Sequence, residues 1–133
     1  MVAMQPPTWI GILLSLALAA CTGPRSAAPP VAVTVVVDFG ATGRDPTREQ
    51  TILPPGASPI EALLEVADVE QRFVSRTAAD VWSVEGVATD AEAGLHWEWH
   101  LNGRRAPEDA HRYVLKNGDL VTWRYAASKP EAR

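Results

Sequence analysis

The amino-acid sequence predicts an α+β domain in which a mixed β-sheet carries one short helix on one face. Three observations predict it. Val31 to Val37 is dense in β-branched residues, Ser58-Pro59-Ile60-Glu61 reads as a helix start, and the stretch from Trp97 to Tyr125 alternates apolar and polar residues. With 133 residues and a net charge of −4, the chain has room for one small, slightly acidic domain. A single cysteine excludes an intramolecular disulfide. The mild, mixed charge excludes a nucleic-acid surface, which needs clustered Lys and Arg.

Taken in order, the first strand is Val31–Val37. Gly40–Pro46 is a turn region, and a shorter strand follows around Glu49–Leu53 before Pro54-Pro55-Gly56 breaks it. Ser58 then caps a helix with Pro59 at its first position and Glu61 three residues after the cap, a capping box. Ile60, Leu63, Leu64 and Ala67 share one helical face, and the helix is expected to end near Asp68 to Glu70. Phe73-Val74 and Val81–Val84 are the next apolar pieces, with Asp90–Gly94 a loop. From Trp97 to Leu101 the strand places Trp97, Trp99 and Leu101 on one face and His96, Glu98 and His100 on the other. Asn102-Gly103 is a two-residue hairpin signal, with a longer loop through Pro107 as the alternative. Tyr113–Leu115, the turn Asn117-Gly118-Asp119 and Leu120–Tyr125 read as a C-terminal hairpin with Val121, Trp123 and Tyr125 on one face. Two strands, one helix and then several strands is the order of a β-grasp-like, ubiquitin-like sheet.

The N-terminus carries a different signal. Residues 1–20 contain no Asp, Glu, Lys or Arg, and Trp9 to Ala20 is almost wholly apolar. Such a run is too short for a bilayer core, which needs about 20 residues, and fits the apolar region of a secretory signal. It ends in Leu18-Ala19-Ala20-Cys21, which resembles the lipobox of bacterial lipoproteins. The resemblance implies a signal peptide over 1–20 and a Cys21 that takes the lipid. Thr22 to Pro30 is small and Pro-rich, an extended tether completing the segment 21–30. The domain is then expected over 31–126 with a polar tail at 127–133. The expected location is the extracytoplasmic cell envelope, anchored to an outer or plasma membrane. Thr22 is not the aspartate of some inner-membrane retention signals, which leaves outer-membrane sorting open.

Within the domain, W-x-W-x-L-N-G (Trp97–Gly103), Y-x-L-x-x-G-D (Tyr113–Asp119) and V-x-W-x-Y (Val121–Tyr125) resemble the bacterial family related to the C-terminal β-domain of transcobalamin and intrinsic factor. The Val-rich first strand, the helix through Ala62-Leu63-Leu64, and Val84-Glu85-Gly86-Val87 agree with it. In the animal carriers this domain closes over one face of cobalamin while a helical barrel domain supplies the other. The resemblance implies the fold first, and a corrinoid or other small planar ligand as one function.

Trp82, Trp97, Trp99 and Trp123 are a large aromatic load for about 100 residues. Most of it is expected in the core, but an open face with Trp97, Trp99, Trp123 and Asn102 would make a ligand platform. His96, Glu98 and His100 are the metal candidates, with Glu108 or His111 completing a site; a solvated polar face is the plainer reading, and no metal is expected. Asp109-Ala110-His111 opens like the D-x-H-x-x-G corrinoid motif, but Val114 stands where the glycine is required. No nucleophile elbow or phosphate loop is present, so no catalysis and no required cofactor are expected. The leading expectation is a membrane-tethered adaptor for another envelope protein; corrinoid binding is the alternative.

The lipobox makes one testable statement. Cys21→Ser abolishes incorporation of a fatty-acid probe and cleavage by the lipoprotein peptidase; label persisting in the variant would refute the assignment.

Overall fold

The computed structural model describes residues 28–73 and 79–127. The expected signal peptide, Cys21, most of the tether, Val74 and residues 128–133 lie outside the described residues. The elements are β1 (Val31–Asp38), a 3₁₀ turn (Gly40–Thr42), β2 (Thr47–Leu53), α1 (Pro59–Val66), β3 (Val69–Phe73), β4 (Ala79–Val84), β5 (Val87–Ala88), β6 (Leu95–Leu101), β7 (Arg104–Arg105) and β8 (Leu120–Ala127). The fold is mixed α+β, mostly sheet, with one helix among the described residues.

Valine at alternate positions drives β1 inward on one side only: Val33, Val35 and Val37 are buried and their neighbours are not. β1 lies between β2, antiparallel, and β8, parallel, and the larger sheet runs β2-β1-β8-β6-β7. Its register aligns apolar rows across three strands. Val37 meets Trp123, which meets Trp99; Val35 meets Val121, which meets Leu101. All of these side chains point to one face.

That face is covered twice. α1 covers part of it with buried Pro59, Ile60, Ala62 and Leu63. A second sheet, β3-β4-β5, covers another part, fastened by the Trp97 Nε1–H donating to the Val87 carbonyl (2.8 Å) and the Tyr125 hydroxyl donating to the Ala88 carbonyl (2.7 Å). The single sheet expected from the element order is therefore two. Gly40 makes a close approach possible at the end of β8: a Cβ there would run into the Tyr125 carbonyl, and its φ is +38°.

Ser58 caps α1 as expected, its Oγ accepting from the Glu61 N–H at 3.2 Å. The helix ends earlier than the periodicity implied, at Val66, with Ala67 extended. The cause is tertiary. Asp68 leaves the helix to meet Glu85, which donates its N–H to the Asp68 carbonyl (2.7 Å) and accepts the Asp68 N–H on Oε1 (3.0 Å). With only two turns, the buried face holds Ala62 in place of Leu64, which is 45% exposed. Phe73 is likewise outside the core, at 82% exposed.

Tyr113–Leu115 forms no strand, and the expected C-terminal hairpin is absent. β8 already has neighbours on both edges, β1 and β6, so no edge remains for it. The segment bonds elsewhere: Tyr113 N–H to the Asp109 carbonyl and Leu115 N–H to the Ala57 carbonyl. Ala127, expected in the tail, belongs to β8.

Ser58→Ala removes the cap acceptor and is expected to cost about 1 kcal/mol of stability. Urea denaturation measures it, and an unchanged midpoint would show that the cap contributes nothing.

Candidate functional site

β6 is incompletely covered on the side away from β8. β7 pairs with it only at His100 and Leu101, and an isolated bridge joins Leu95 to Asp90 at the other end. Between these ends a cleft of about 340 Å³ opens along the strand. Its opposite wall is β4 at Asp80–Trp82, beyond the Ser83 and Val84 positions that pair with β5. Its third wall is Glu108–His111, held to the start of α1 by the Ile60 N–H bonding the Ala110 carbonyl at 3.4 Å. Because side chains alternate along a strand, an exposed strand edge offers both of its faces. Trp97 and Trp99 therefore line the cleft from one side, and His96 and Glu98 from the other.

The tryptophans form no open platform. Trp97 and Trp99 are each 7% exposed and Trp123 is 3% exposed. Trp97 sits edge-on to Phe39 and against Tyr125, while Trp99 leans on Tyr113. Register explains this: all three share the face that α1 and the second sheet cover. Only part of each reaches the cleft. The Trp123 Nε1–H is buried without a partner. Trp82 is half-buried and carries the Arg72 guanidinium 3.7 Å above its ring.

The outer face of the larger sheet carries a charge network. Glu98 holds His100 Nε2 on one oxygen at 3.2 Å and His96 Nε2 on the other at 3.7 Å. Arg124 stands opposite Glu98 in register and pairs with Asp38 at 3.3 Å. The carboxylate is thus shared between two imidazoles. Among the described residues no group of three His, Cys, Asp or Glu side chains is placed to hold a metal ion.

Asn102 lies at the β6–β7 turn, outside the cleft lining, and its side chain is engaged in the fold. Asn102 and Gly103 both have positive φ, the two-residue turn expected of this pair. The Asn102 Oδ1 accepts from the Leu120 N–H (2.7 Å) and its Nδ2 donates to Asp119 Oδ1 (3.1 Å). Asp119 is buried and accepts two further bonds on Oδ2, from the Lys116 N–H (2.8 Å) and the Tyr113 hydroxyl (3.3 Å). The N-G and G-D motifs are two halves of one clip. Burial raises the Tyr113 pKa, reinforced by the Asp119 charge and hydrogen bond. Burial likewise raises that of Tyr125, with Asp90 adding to it.

Sequence reasoning missed the acidic rim. Asp80, Glu98, Glu108 and Asp109 all line the cleft, which among the described residues is lined by no Lys or Arg. They come from three separate segments, so no local motif announces them.

The family described as a domain of unknown function (DUF4430) matches residues 56–127, more than half of the chain. No curated protein matches its sequence. Among solved structures, haptocorrin in complex with Cbi is similar at 15% identity and a TM-score of 0.58, over 78% of this chain and 27% of that one. A candidate metal-binding protein from Ruminococcus gnavus is similar at 17% identity and a TM-score of 0.55, over 74% of this chain and 99% of that one. At such identities the likeness is one of fold, and this chain spans little more than a quarter of the haptocorrin chain.

The tyrosines yield a pH prediction. Burial disfavours the charged phenolate at both positions, so folding favours the neutral phenols and raises both pKa values above the ordinary tyrosine value of 10.0. This stabilisation is complete below pH 10 and is lost as pH rises through the folded-state pKa values. Phenolate absorbance is expected to appear later in the folded protein than in the urea-unfolded chain, and Tyr113→Phe should remove one of the two delayed titrations. Coincident titration of folded and unfolded protein would contradict this.

Proposed function

Because this chain belongs to the DUF4430 family of domains of unknown function, we propose that it is a binding module without catalysis whose cleft docks another envelope protein. The observation that supports this reading best is the uncovered stretch of β6 inside a walled cleft. In this reading Cys21 carries the lipid, and nine residues from Thr22 to Pro30 reach at most about 30 Å. The domain then works close to the membrane on its extracytoplasmic side. The larger sheet, with its first and last strands parallel at the centre, supports a β-grasp-like assignment related to the transcobalamin C-terminal domain.

A second reading is a corrinoid or other planar ligand, favoured by the fold likeness to haptocorrin in complex with Cbi. Here the ligand would rest one edge in the cleft against Trp82. Its affinity would be micromolar or weaker, since one face of the ring stays uncovered.

A photo-crosslinker placed at Glu108, on the cleft rim, is expected to form a discrete protein adduct in cells, whereas one at exposed Arg48 of β2 is not. Filling the cleft from its rim with Asp80→Trp should abolish the adduct. Equal adducts from both positions would defeat the docking reading. A change in the visible spectrum of cobalamin or cobinamide on titration with the protein, lost in Asp80→Trp, would favour the second reading instead.

A further inference from the structure

We propose that the cleft accepts a basic, extended polypeptide segment as an added strand on β6. The inference rests on the reading of the chain as a protein-docking module and names the chemistry of what docks.

The main chain supplies the first argument. In an antiparallel strand, alternate residues direct their N–H and C=O groups to opposite edges. Leu95 exchanges both bonds with Asp90 at 2.9 Å, and Leu101 pairs with Arg104 across the hairpin, so odd-numbered residues of β6 face away from β8. Asn102 confirms the parity, since its N–H turns to the Leu120 carbonyl of β8. Trp97 therefore directs its N–H and C=O groups, and Trp99 its N–H, toward the cleft, between the β7 pairing and the Asp90 bridge. Residues two apart on a strand repeat every ~7 Å, which matches the spacing of main-chain groups on an incoming extended chain. Unmade backbone bonds on a strand edge favour such pairing.

Charge supplies the second. Asp80, Glu98, Glu108 and Asp109 line this stretch, and among the described residues no Lys or Arg lines the cleft, with Arg72 over Trp82 and Arg112 4.0 Å from Asp109 as the nearest cations to it. The arginines of β7 pair with His100 and Leu101 and lie outside the lining. An added segment also alternates its side chains, so one set turns to the side of Trp97 and Trp99 and the other to the side of His96 and Glu98. Alternating apolar and cationic residues fit that pattern.

The test uses the full chain in nonionic detergent and three blocked hexapeptides: alternating Lys-Val, alternating Glu-Val, and Lys-Val with N-methylated backbone amides. The Lys-Val peptide is expected to bind and to slow hydrogen exchange at the Trp97 and Trp99 amides. The Glu-Val peptide and the N-methylated peptide are expected not to. Glu108→Gln with Asp109→Asn, both exposed, should weaken Lys-Val binding by about threefold to tenfold. Equal binding of the N-methylated peptide would overturn strand addition, and equal binding of the Glu-Val peptide would overturn the charge preference. If no peptide binds while Glu108 still crosslinks a protein in cells, the docking module stands and this inference falls. If the crosslink is absent too, both fall.

Discussion

β1 and β8 open and close the described fold, and they lie side by side in parallel register. Parallel neighbours cannot be joined by a tight turn, so everything between them must travel across the sheet and back. That constraint places β2 and β6 on the two flanks of the central pair and sends α1 and the second sheet over one face. The valines of β1 and the aromatic residues of β6 and β8 are buried because of it. The opposite face keeps Thr34, Thr122, Arg124 and the imidazole-flanked Glu98, and needs no cover.

β8, the last of the described strands, lies between β1 and β6 and is tied to the rest of the fold through Asp119 and Asn102. The buried carboxylate gathers donors from the β6–β7 turn, from the Lys116 backbone and from Tyr113, while the Asn102 amide takes the first N–H of β8. A buried charge is tolerable only when its lone pairs are filled, and here filling them pins three segments together. The same economy appears at Glu85, whose positive φ is held by bonds to Asp68 and by Arg44 on its carbonyl.

The cleft follows from how the second sheet is attached. Its fastening points, Trp97 to Val87 and Tyr125 to Ala88, involve β5 and bring that hairpin against the larger sheet. β4 beyond the hairpin stands across from β6 without pairing to it, leaving two facing strand stretches and a space between. The other edge of the larger sheet, β2, exposes Arg48, Glu49 and Gln50 along its length, a polar edge that discourages strand pairing. The β6 edge instead lies recessed between walls.

Local chemistry was legible in the sequence wherever one segment decides its own conformation. Ser58 caps because its hydroxyl reaches an N–H three residues away; Asn102-Gly103 turns because both tolerate positive φ; the alternation in β1, β6 and β8 states which side chains turn inward. None of these depends on a distant partner. What alternation cannot state is what covers the inward face, so the platform of Trp97, Trp99 and Trp123 became core once α1 and the second sheet lay on it. Likewise Leu64 lost its place to Ala62 when Asp68 was drawn to Glu85, and Tyr113–Leu115 lost its strand when β1 and β6 took both edges of β8. Asn102 spent its amide on Asp119, seventeen residues along the chain. The acidic rim lies furthest from the sequence, because Asp80, Glu98 and Glu108 become neighbours only when two sheets and a loop meet. Short-range bonding and periodicity are written in consecutive residues; which surfaces stay open is set by the packing of elements that share no sequence neighbourhood.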